Sequence, residues 1–226
     1  MRVATYAIAL IVLATAATVA AQSVTVEGGN IFYRGGNGTR HQLTFSGLDS
    51  DVILSPDGKL VAFVRRTPDK LISTSMGDEE ATEIWIINID GKAARRLLTG
   101  TSAKEPQRSL ANFRNLQFSP DGARIYFLSA GWVTSNAIYA VNRLTAKASF
   151  IAPGNSLEVI QRGTYAGHLI VEQHRYWLAG GSYDWLWLLD SNGREVGPIM
   201  DDNGRAGNFD EWRKMIIAPG AAKKQH

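Results

Sequence analysis

Short apolar runs that alternate with polar positions recur along this chain of 226 residues. Residues 60–65 and 83–88 are two such apolar runs, and short runs of this kind bounded by turn residues are typical of strands. Clusters of Gly, Asn and Asp separate the runs, and these residue types favour turns. No segment sustains a helical period for more than three turns. The pattern therefore predicts an all-β protein built from short antiparallel strands.

The clearest internal repeat is the segment at residues 55–63, which returns at residues 119–127. In each copy Pro suits the first corner of a turn, Asp caps the turn with its side chain, and Gly takes a positive φ. The structural turn residues are Pro56, Asp57 and Gly58 in the first copy, and Pro120, Asp121 and Gly122 in the second. An apolar alternation follows each turn, so each copy predicts a hairpin.

Three units of about four strands each can be traced around these turns. The third unit is degenerate, because residues 162–167 replace the Pro-Asp-Gly turn. The two intact turns lie 64 residues apart, whereas common propeller blades repeat every 40–45 residues or so. The excess falls in residues 70–81 and 100–111, which we interpret as loops or short helical turns on one rim. Together these features predict a β-propeller of four-stranded antiparallel blades, about four in number.

The two ends of the chain look complementary. Residues 24–44 predict about three strands without a first strand, whereas residues 212–220 resemble the first strand and turn at residues 52–56. One hypothesis is a closed ring in which the N- and C-terminal strands share a blade. Two alternatives remain open: an open arc that needs a partner chain, and a fragment of a larger propeller.

The first residues resemble a secretory signal. Arg2 precedes an apolar run, and this run ends with small residues at Ala21. We place the cleavage between Ala21 and Gln22. An uncleaved anchor is the alternative. The predicted organisation is a signal peptide at 1–21, a β-propeller domain at 22–218 and a flexible tail at 219–226. No other segment predicts a membrane span, and the absence of cysteine excludes a lipoprotein anchor and disulfides.

The charge balance does not favour nucleic acid as a partner. The chain has 24 basic and 21 acidic residues, a formal net charge of +3, and no basic stripe. Its 45% hydrophobic content is that of a globular protein with a buried core.

The Ser-Pro-Asp-Gly repeats, each followed by a strand such as residues 83–91, resemble the TolB-type (WD40-like) β-propeller repeat. The resemblance covers roughly residues 30–218 and implies a secreted or periplasmic interaction platform. This chain has no room for a separate N-terminal α/β domain and has fewer repeats than that family. For this reason no partner-binding residue is transferred from the family.

The sequence predicts no catalytic, cofactor-binding or metal-ligating residue. The string at residues 180–184 lacks the last glycine of a nucleophile elbow and leads into a strand. His168 and His174 have no partner at zinc spacing. Acidic residues at 78–80 and 201–202 match no calcium-loop spacing.

Large aromatic side chains in the connections suggest where a partner could bind. We place the candidate partner-binding rim at Trp132, Tyr176, Trp177, Asp78, Glu79 and Glu80. Trp185 and Trp187 share one face of a strand, and we expect them to pack between blades.

The predicted function is a non-enzymatic scaffold of the periplasm or extracellular space that binds a protein or peptide. The alternative is a small propeller hydrolase or lactonase with a metal in the central channel. Self-association as a homo-oligomer is left open.

Overall fold

The computed structural model describes residues 21–199. These residues form fifteen strands and one 3₁₀ helix, Pro106–Arg108. The strands are β1 (Ser23–Glu27), β2 (Asn30–Arg34), β3 (Arg40–Gln42), β4 (Asp49–Leu54), β5 (Leu60–Thr74), β6 (Gly77–Asn88), β7 (Arg95–Thr99), β8 (Arg114–Phe118), β9 (Arg124–Trp132), β10 (Ser135–Asn142), β11 (Ala148–Pro153), β12 (Ser156–Val159), β13 (Leu169–Tyr176), β14 (Ser182–Leu189) and β15 (Glu195–Pro198).

The strands form four antiparallel sheets in strict chain order. Sheet 1 holds β1–β3, sheet 2 holds β4–β7, sheet 3 holds β8–β11 and sheet 4 holds β12–β15. Every neighbouring pair of strands is antiparallel, as short hairpin connections require. The predicted all-β fold of about four antiparallel blades is confirmed, and sheet 1 has three strands, as the sequence predicted.

Successive sheets pack face to face through apolar clusters. In β5, Val61 and Phe63 point toward sheet 1, whereas Ala62 and Val64 point toward sheet 3. A third cluster joins sheets 3 and 4 around residues such as Tyr126. Because side chains alternate between the faces of a strand, a central sheet needs apolar residues at nearly every position. This requirement explains the continuous apolar runs of the second and third strands.

The first strands of sheets 2, 3 and 4 lie side by side, with β8 in contact with both β4 and β12. β4 and β8 each carry an irregularity at the same place, where Asp51 and Asn115 adopt positive φ values of 48° and 53°. Asp and Asn tolerate this conformation better than most residues. The Asn115 backbone N–H donates to Asp51 Oδ1 (2.9 Å), and Asn115 Nδ2 donates to the Leu157 carbonyl (2.9 Å). The sheets are thus linked by hydrogen bonds as well as by apolar contact.

The Ser-Pro-Asp-Gly segments form matching tight turns. Gly58 and Gly122 have φ values of 68° and 66°, and their N–H groups bond to the carbonyls of Ser55 and Ser119. The Ser55 hydroxyl donates to Asp57 Oδ1 (2.6 Å) and accepts the Leu60 N–H (2.9 Å). The second copy repeats these contacts atom for atom.

The prediction of a loop at residues 70–81 is wrong. β5 continues to Thr74 and β6 starts at Gly77, so these residues form the distal half of one long hairpin. The hairpin is ordered because Ile72 is buried against Ala111 and Ala130. Residues 100–111 are irregular and contain the 3₁₀ helix, as predicted. Ser109 Oγ donates to the Ser73 carbonyl (2.7 Å), so the two long connections brace each other.

Three predictions concern residues outside the described part of the chain. They are the signal segment up to residue 20, the first-strand echo at residues 212–220 and the tail at 219–226. The proposed ring closure depends on the second of these.

Candidate partner-binding rim

The order of the strands divides the molecule into two faces. Turns from first to second strands and from third to fourth strands all lie on one face, which we call the turn face. Turns from second to third strands lie on the opposite face, which we call the loop face, because consecutive antiparallel strands reverse direction. The loop face carries the tips of the hairpins β5–β6, β9–β10 and β13–β14.

Each of these three hairpins presents exposed large apolar side chains. Trp132, Tyr176 and Trp177, which the sequence singled out, retain 41%, 65% and 50% of their accessible surface. Sequence reasoning did not include four further residues: Leu71 and Met76 on β5–β6, Val133 on β9–β10, and Leu178 on β13–β14. Met76, Val133 and Leu178 lie in the strand-reversing turns, which was the available signal, whereas Leu71 lies on β5 itself.

The second and third hairpins approach each other directly. Thr134 Oγ1 lies 3.5 Å from Tyr176 Oη. Trp132 packs edge-on against Phe150, with ring centroids 6.2 Å apart. The tips of sheets 3 and 4 are therefore in contact, and an aromatic pair of sheet 3 lies beside that contact.

The acidic residues of the candidate rim lie on β6 and not in a loop. Asp78, Glu79 and Glu80 follow the tip of the first hairpin and pair with Ser73, Ile72 and Leu71 on β5. Glu80 forms an exposed ion pair with Arg66 (3.2 Å). The structure thus places these carboxylates beside the Met76 tip, on the same face as the aromatic residues.

A stack of aromatic rings runs from the rim along β14. Ring centroids are 4.3 Å apart between Trp177 and Tyr183, 4.8 Å between Tyr183 and Trp185, and 6.3 Å between Trp185 and Trp187. The Arg175 guanidinium lies 3.7 Å from the centre of the Trp187 ring and completes the stack. Cation–π contacts of this kind stabilise partly exposed aromatic side chains.

The expectation that Trp185 and Trp187 fill the core between blades is only partly correct. Trp187 is half-buried and packs against the cluster between sheets 3 and 4. Its Nε1 is buried and has no hydrogen-bond partner in the described part of the chain. Trp185 is half-buried within the aromatic stack and belongs to none of the core clusters that residues 21–199 form. The stack was missed because Arg175 and Trp177 meet the β14 rings only after the hairpin closes.

The turn face has a cavity of about 380 Å³ between sheets 3 and 4. Its polar lining includes Asp121, Arg124, Tyr126, His168 and Asp190. The Ser119 hydroxyl, followed by the Ala123 N–H, lowers the pKa of Asp121, and the Arg194 N–H lowers that of Asp190. Burial raises the pKa of Tyr126. Both Arg124 and Tyr126 donate to the Ser191 carbonyl (3.1 Å each), so much of this polarity serves the turns.

A second cavity, of about 610 Å³, lies among the first strands of sheets 2, 3 and 4. Ile53, Leu54, Gln117, Phe118 and Leu157 line it. The Gln117 side chain is already bound to the Leu157 carbonyl (2.6 Å) and the Val159 N–H (2.7 Å).

The histidines singled out by the sequence lie apart from a metal-ligand constellation. His174 pairs with Asp184 (2.8 Å), and His168 packs edge-on against Tyr165. Within residues 21–199, no three His, Asp or Glu side chains are grouped so as to hold a metal ion. Ser182, from the string considered as a nucleophile elbow, is the first residue of β14.

No protein-family model matches the chain, and no curated protein matches it significantly. Solved structures do match. Dipeptidyl peptidase 4 of Porphyromonas gingivalis has a TM-score of 0.54 at 16% identity, covering 80% of this chain and 31% of that chain. The β-propeller domain of the Trilobed protease from Pyrococcus furiosus has a TM-score of 0.51 at 13% identity, covering 76% of this chain and 48% of that chain.

TolB from Acinetobacter baumannii has a TM-score of 0.49 at 18% identity, covering 80% of this chain and 41% of that chain. That likeness is too distant to bear on function. The chain spans less than half the length of each of these three proteins. At such identities the likeness concerns the fold alone. Chain-ordered antiparallel sheets that pack face to face, together with the match to solved propellers, show that the chain has a β-propeller fold.

Proposed function

We propose that this propeller is a non-enzymatic scaffold of the TolB type, located in the periplasm or outside the cell, which binds a protein or peptide on its loop face. The observation that carries the proposal is the exposure of large apolar side chains at three hairpin tips on one face. Large apolar side chains that are exposed together on one face of a protein often mark an interaction site.

The physical setting of the tips supports this role. Rigid strands hold them, and the β5–β6 hairpin is braced by Ser109 and by the buried Ile72. A partner would therefore meet a preorganised surface and would lose little conformational entropy of the scaffold on binding. Trp and Tyr suit such contacts, because one end of the side chain is apolar and the other can form hydrogen bonds.

The test compares matched variants with exposed leucine or valine changed to serine. Val133→Ser with Leu178→Ser alters the loop face, whereas Leu144→Ser alters an equally exposed position (76%) in the β10–β11 turn on the turn face. The tagged proteins are cross-linked in an envelope extract, and captured proteins are quantified by mass spectrometry. We expect the loop-face variant to lose its main partner at least ten-fold and Leu144→Ser to keep it. Equal capture by both variants would contradict the proposal.

The hydrolase or lactonase alternative has its own measurement. Elemental analysis of the purified protein, together with assays on an ester and lactone panel, addresses it directly. A stoichiometric metal with turnover would favour the enzyme.

Localisation is tested at the predicted cleavage site. N-terminal sequencing of the protein recovered from the periplasm or medium is expected to start at Gln22. Residues 21–199 include no helix with the length and apolarity needed to cross a bilayer. Light scattering on the same material reports whether the chain self-associates.

A further inference from the structure

The cavity on the turn face has a counterpart elsewhere in the molecule. The cleft between sheets 3 and 4 holds about 380 Å³, whereas the cleft at the same place between sheets 2 and 3 holds about 70 Å³. A Ser-Pro-Asp-Gly turn forms one wall of each cleft, at residues 119–122 and 55–58. Only the larger volume falls in the range of about 300–1,000 Å³ that is usual for small-molecule sites.

The strand register identifies equivalent residues in sheets 2, 3 and 4. One buried pair joins the start of the second strand to the end of the third strand in each sheet: Val61–Ile87, Ile125–Val141 and Leu169–Leu189. The residues directly before the second-strand members are Leu60, Arg124 and His168. The second residues after the third-strand members are Ile89, Arg143 and Ser191.

Two replacements open the larger cleft. Arg143 lines the smaller cleft, and its Nε donates to the Gly122 carbonyl (3.0 Å). Ser191 holds the equivalent place in the larger cleft and has a much shorter side chain. The second Pro-Asp-Gly turn forms the far wall of the smaller cleft, whereas Ala166 and Gly167 of the degenerate third unit form that wall in the larger one. The extra volume therefore results from the departure of sheet 4 from the repeat.

The larger cleft has a guanidinium group where the smaller cleft has a leucine. Leu60 lines the smaller cleft, and Arg124 lines the larger one. Arg124 Nη1 donates to the Ser191 carbonyl (3.1 Å) and to Asn192 Oδ1 (3.2 Å), which fixes the position of the side chain. Of the five N–H donors of a guanidinium, this turn takes two and the neighbouring Tyr126 hydroxyl accepts at most one. At least two donors remain, and arginine binds a carboxylate through two such donors.

The larger cleft also has a carboxylate that lacks the cation of its counterpart. In the smaller cleft, the Ser55 hydroxyl contributes most to the lowered pKa of Asp57, and the positive charge of Arg143 lowers it further. Asp121 is the equivalent of Asp57 in the larger cleft. Because Ser191 replaces the arginine there, that place contains no cationic side chain.

Asp121 carries a negative charge that a ligand can use. The Ser119 hydroxyl, followed by the Ala123 N–H, lowers the pKa of Asp121, so the carboxyl group is ionised at neutral pH. Both of these donors bind Oδ1. Within residues 21–199, no side chain donates a hydrogen bond to Oδ2. This oxygen is therefore available to an ammonium group.

We propose that the cavity between sheets 3 and 4 binds a free α-amino acid, with the carboxylate of the ligand on Arg124 and its ammonium group on Asp121. The ammonium group supplies the positive charge that Arg143 supplies in the smaller cleft. The space beside Ala166 and Gly167 accommodates the side chain of the ligand. This site lies on the turn face, so the inference does not depend on the proposed partner-binding function of the loop face.

The charges of the lining favour a zwitterion over other small molecules. Asp190 is already paired with Arg194 (3.2 Å). Among the Asp and Arg side chains that line the cavity, one negative charge on Asp121 and one positive charge on Arg124 remain for a ligand. A simple anion or amine would satisfy one of these charges, and a neutral saccharide would supply a counter-charge to neither.

The first experiment titrates the purified full chain with each proteinogenic amino acid by isothermal titration calorimetry. We expect at least one of them to bind with a Kd of about 1 mM or tighter. Its N-acetyl derivative, which lacks the ammonium charge, and its methyl ester, which lacks the carboxylate charge, should each bind at least ten-fold more weakly. Equal affinity for the derivatives, or no binding of any amino acid at about 10 mM, would refute the proposal. Binding of glucose or maltose without binding of an amino acid would overturn it in favour of a saccharide site.

The second experiment locates the bound amino acid with variants taken from the repeat itself. Arg124→Leu introduces the residue found at position 60, and Ser191→Arg introduces the residue found at position 143, so both reproduce side chains that the smaller cleft accommodates. Each should lower the affinity at least ten-fold, with folding checked by circular dichroism. Asp121→Asn should do the same, whereas its matched control Asp57→Asn should leave the Kd unchanged. Unchanged affinity in Arg124→Leu and Ser191→Arg would place the ligand elsewhere and refute the assignment. The comparison of derivatives uses the native chain and does not depend on the folding of any variant.

Discussion

Replacing Ser55 by alanine removes two hydrogen bonds from the first Ser-Pro-Asp-Gly turn. The Ser55 side chain is buried, with 5% of its surface exposed. Its oxygen accepts the Leu60 N–H (2.9 Å), and its hydroxyl donates to Asp57 Oδ1 (2.6 Å). In the alanine variant the Leu60 N–H keeps no partner in a region that water reaches poorly.

The expected loss of stability follows from these contacts. An unsatisfied buried N–H costs about 1–3 kcal/mol, and a net hydrogen bond adds about 1 kcal/mol. The second contribution is reduced because Asp57 is exposed to solvent. The sum is about 2 kcal/mol, which lowers the Tm of a chain of this size by roughly 4–8 °C.

The effect also depends on pH. The Ser55 hydroxyl, followed by the Lys59 N–H, lowers the pKa of Asp57 in the folded state. A carboxyl group whose pKa is lowered by folding stabilises the folded state at pH values above its unfolded pKa of about 4. This stabilisation is lost as the pH falls through the folded-state pKa. The difference between Ser55→Ala and the native chain is therefore expected to be larger at pH 7 than near pH 3.

Urea unfolding followed by circular dichroism at both pH values is the assay. Ser119→Ala serves as an internal replicate, because Ser119 makes the same contacts in sheet 3. Ser149→Ala, at an exposed position on β11, is the control and is expected to change stability by less than about 0.5 kcal/mol. A loss below about 0.5 kcal/mol at both Ser55 and Ser119, or a loss that is equal at both pH values, would refute the reasoning.

Three further predictions use the same unfolding assay. The Gly122→Ala variant should lose about 1–2 kcal/mol of unfolding free energy because of the positive φ alone, since the added Cβ contacts only a proline atom at 3.8 Å. The Gly122→Asn variant should lose less, because asparagine tolerates a positive φ better than alanine. The Asp51→Asn variant should be at least as stable as the native chain at pH 7, because burial raises the Asp51 pKa and the charged carboxylate therefore destabilises the folded state as the pH rises. The asparagine amide oxygen can still accept the Asn115 N–H. A loss above about 1 kcal/mol would contradict this prediction. The Arg65→Ala variant should lose about 3–5 kcal/mol of unfolding free energy, because it leaves the buried Asp49 carboxylate, which Arg65 binds at 2.6 and 3.0 Å, without its ion-pair partner. The double variant with Asp49→Asn should recover part of that loss.

Much of the fold could be predicted because its signals are local. The Ser-Pro-Asp-Gly turns depend on residues within five positions of one another, from Ser55 to Leu60. The alternation of Val61 to Val64 sets which side chains face each neighbouring sheet. Strand number, sheet order and the short first sheet all follow from counting such elements.

The course of residues 70–81 could not be predicted in the same way. Their polar composition resembles a loop, and only the burial of Ile72 against Ala111 and Ala130 makes a hairpin there. Those partners lie more than 35 residues away in the sequence, so no local pattern records them. The same holds for Arg175, which reaches the ring of Trp187 across β13 and β14.

By itself, the sequence determined that the chain is an all-β repeat protein with tight Pro-Asp-Gly turns, because short apolar runs and the turn residues between them act within a few positions. Only the tertiary structure decided that three hairpins end on one face with their apolar side chains exposed, that Trp177 joins a continuous stack of rings, and that β1 pairs with β2 alone among the strands of residues 21–199. These properties depend on which surfaces remain after the sheets pack, and packing brings together residues whose separation along the chain carries no signal.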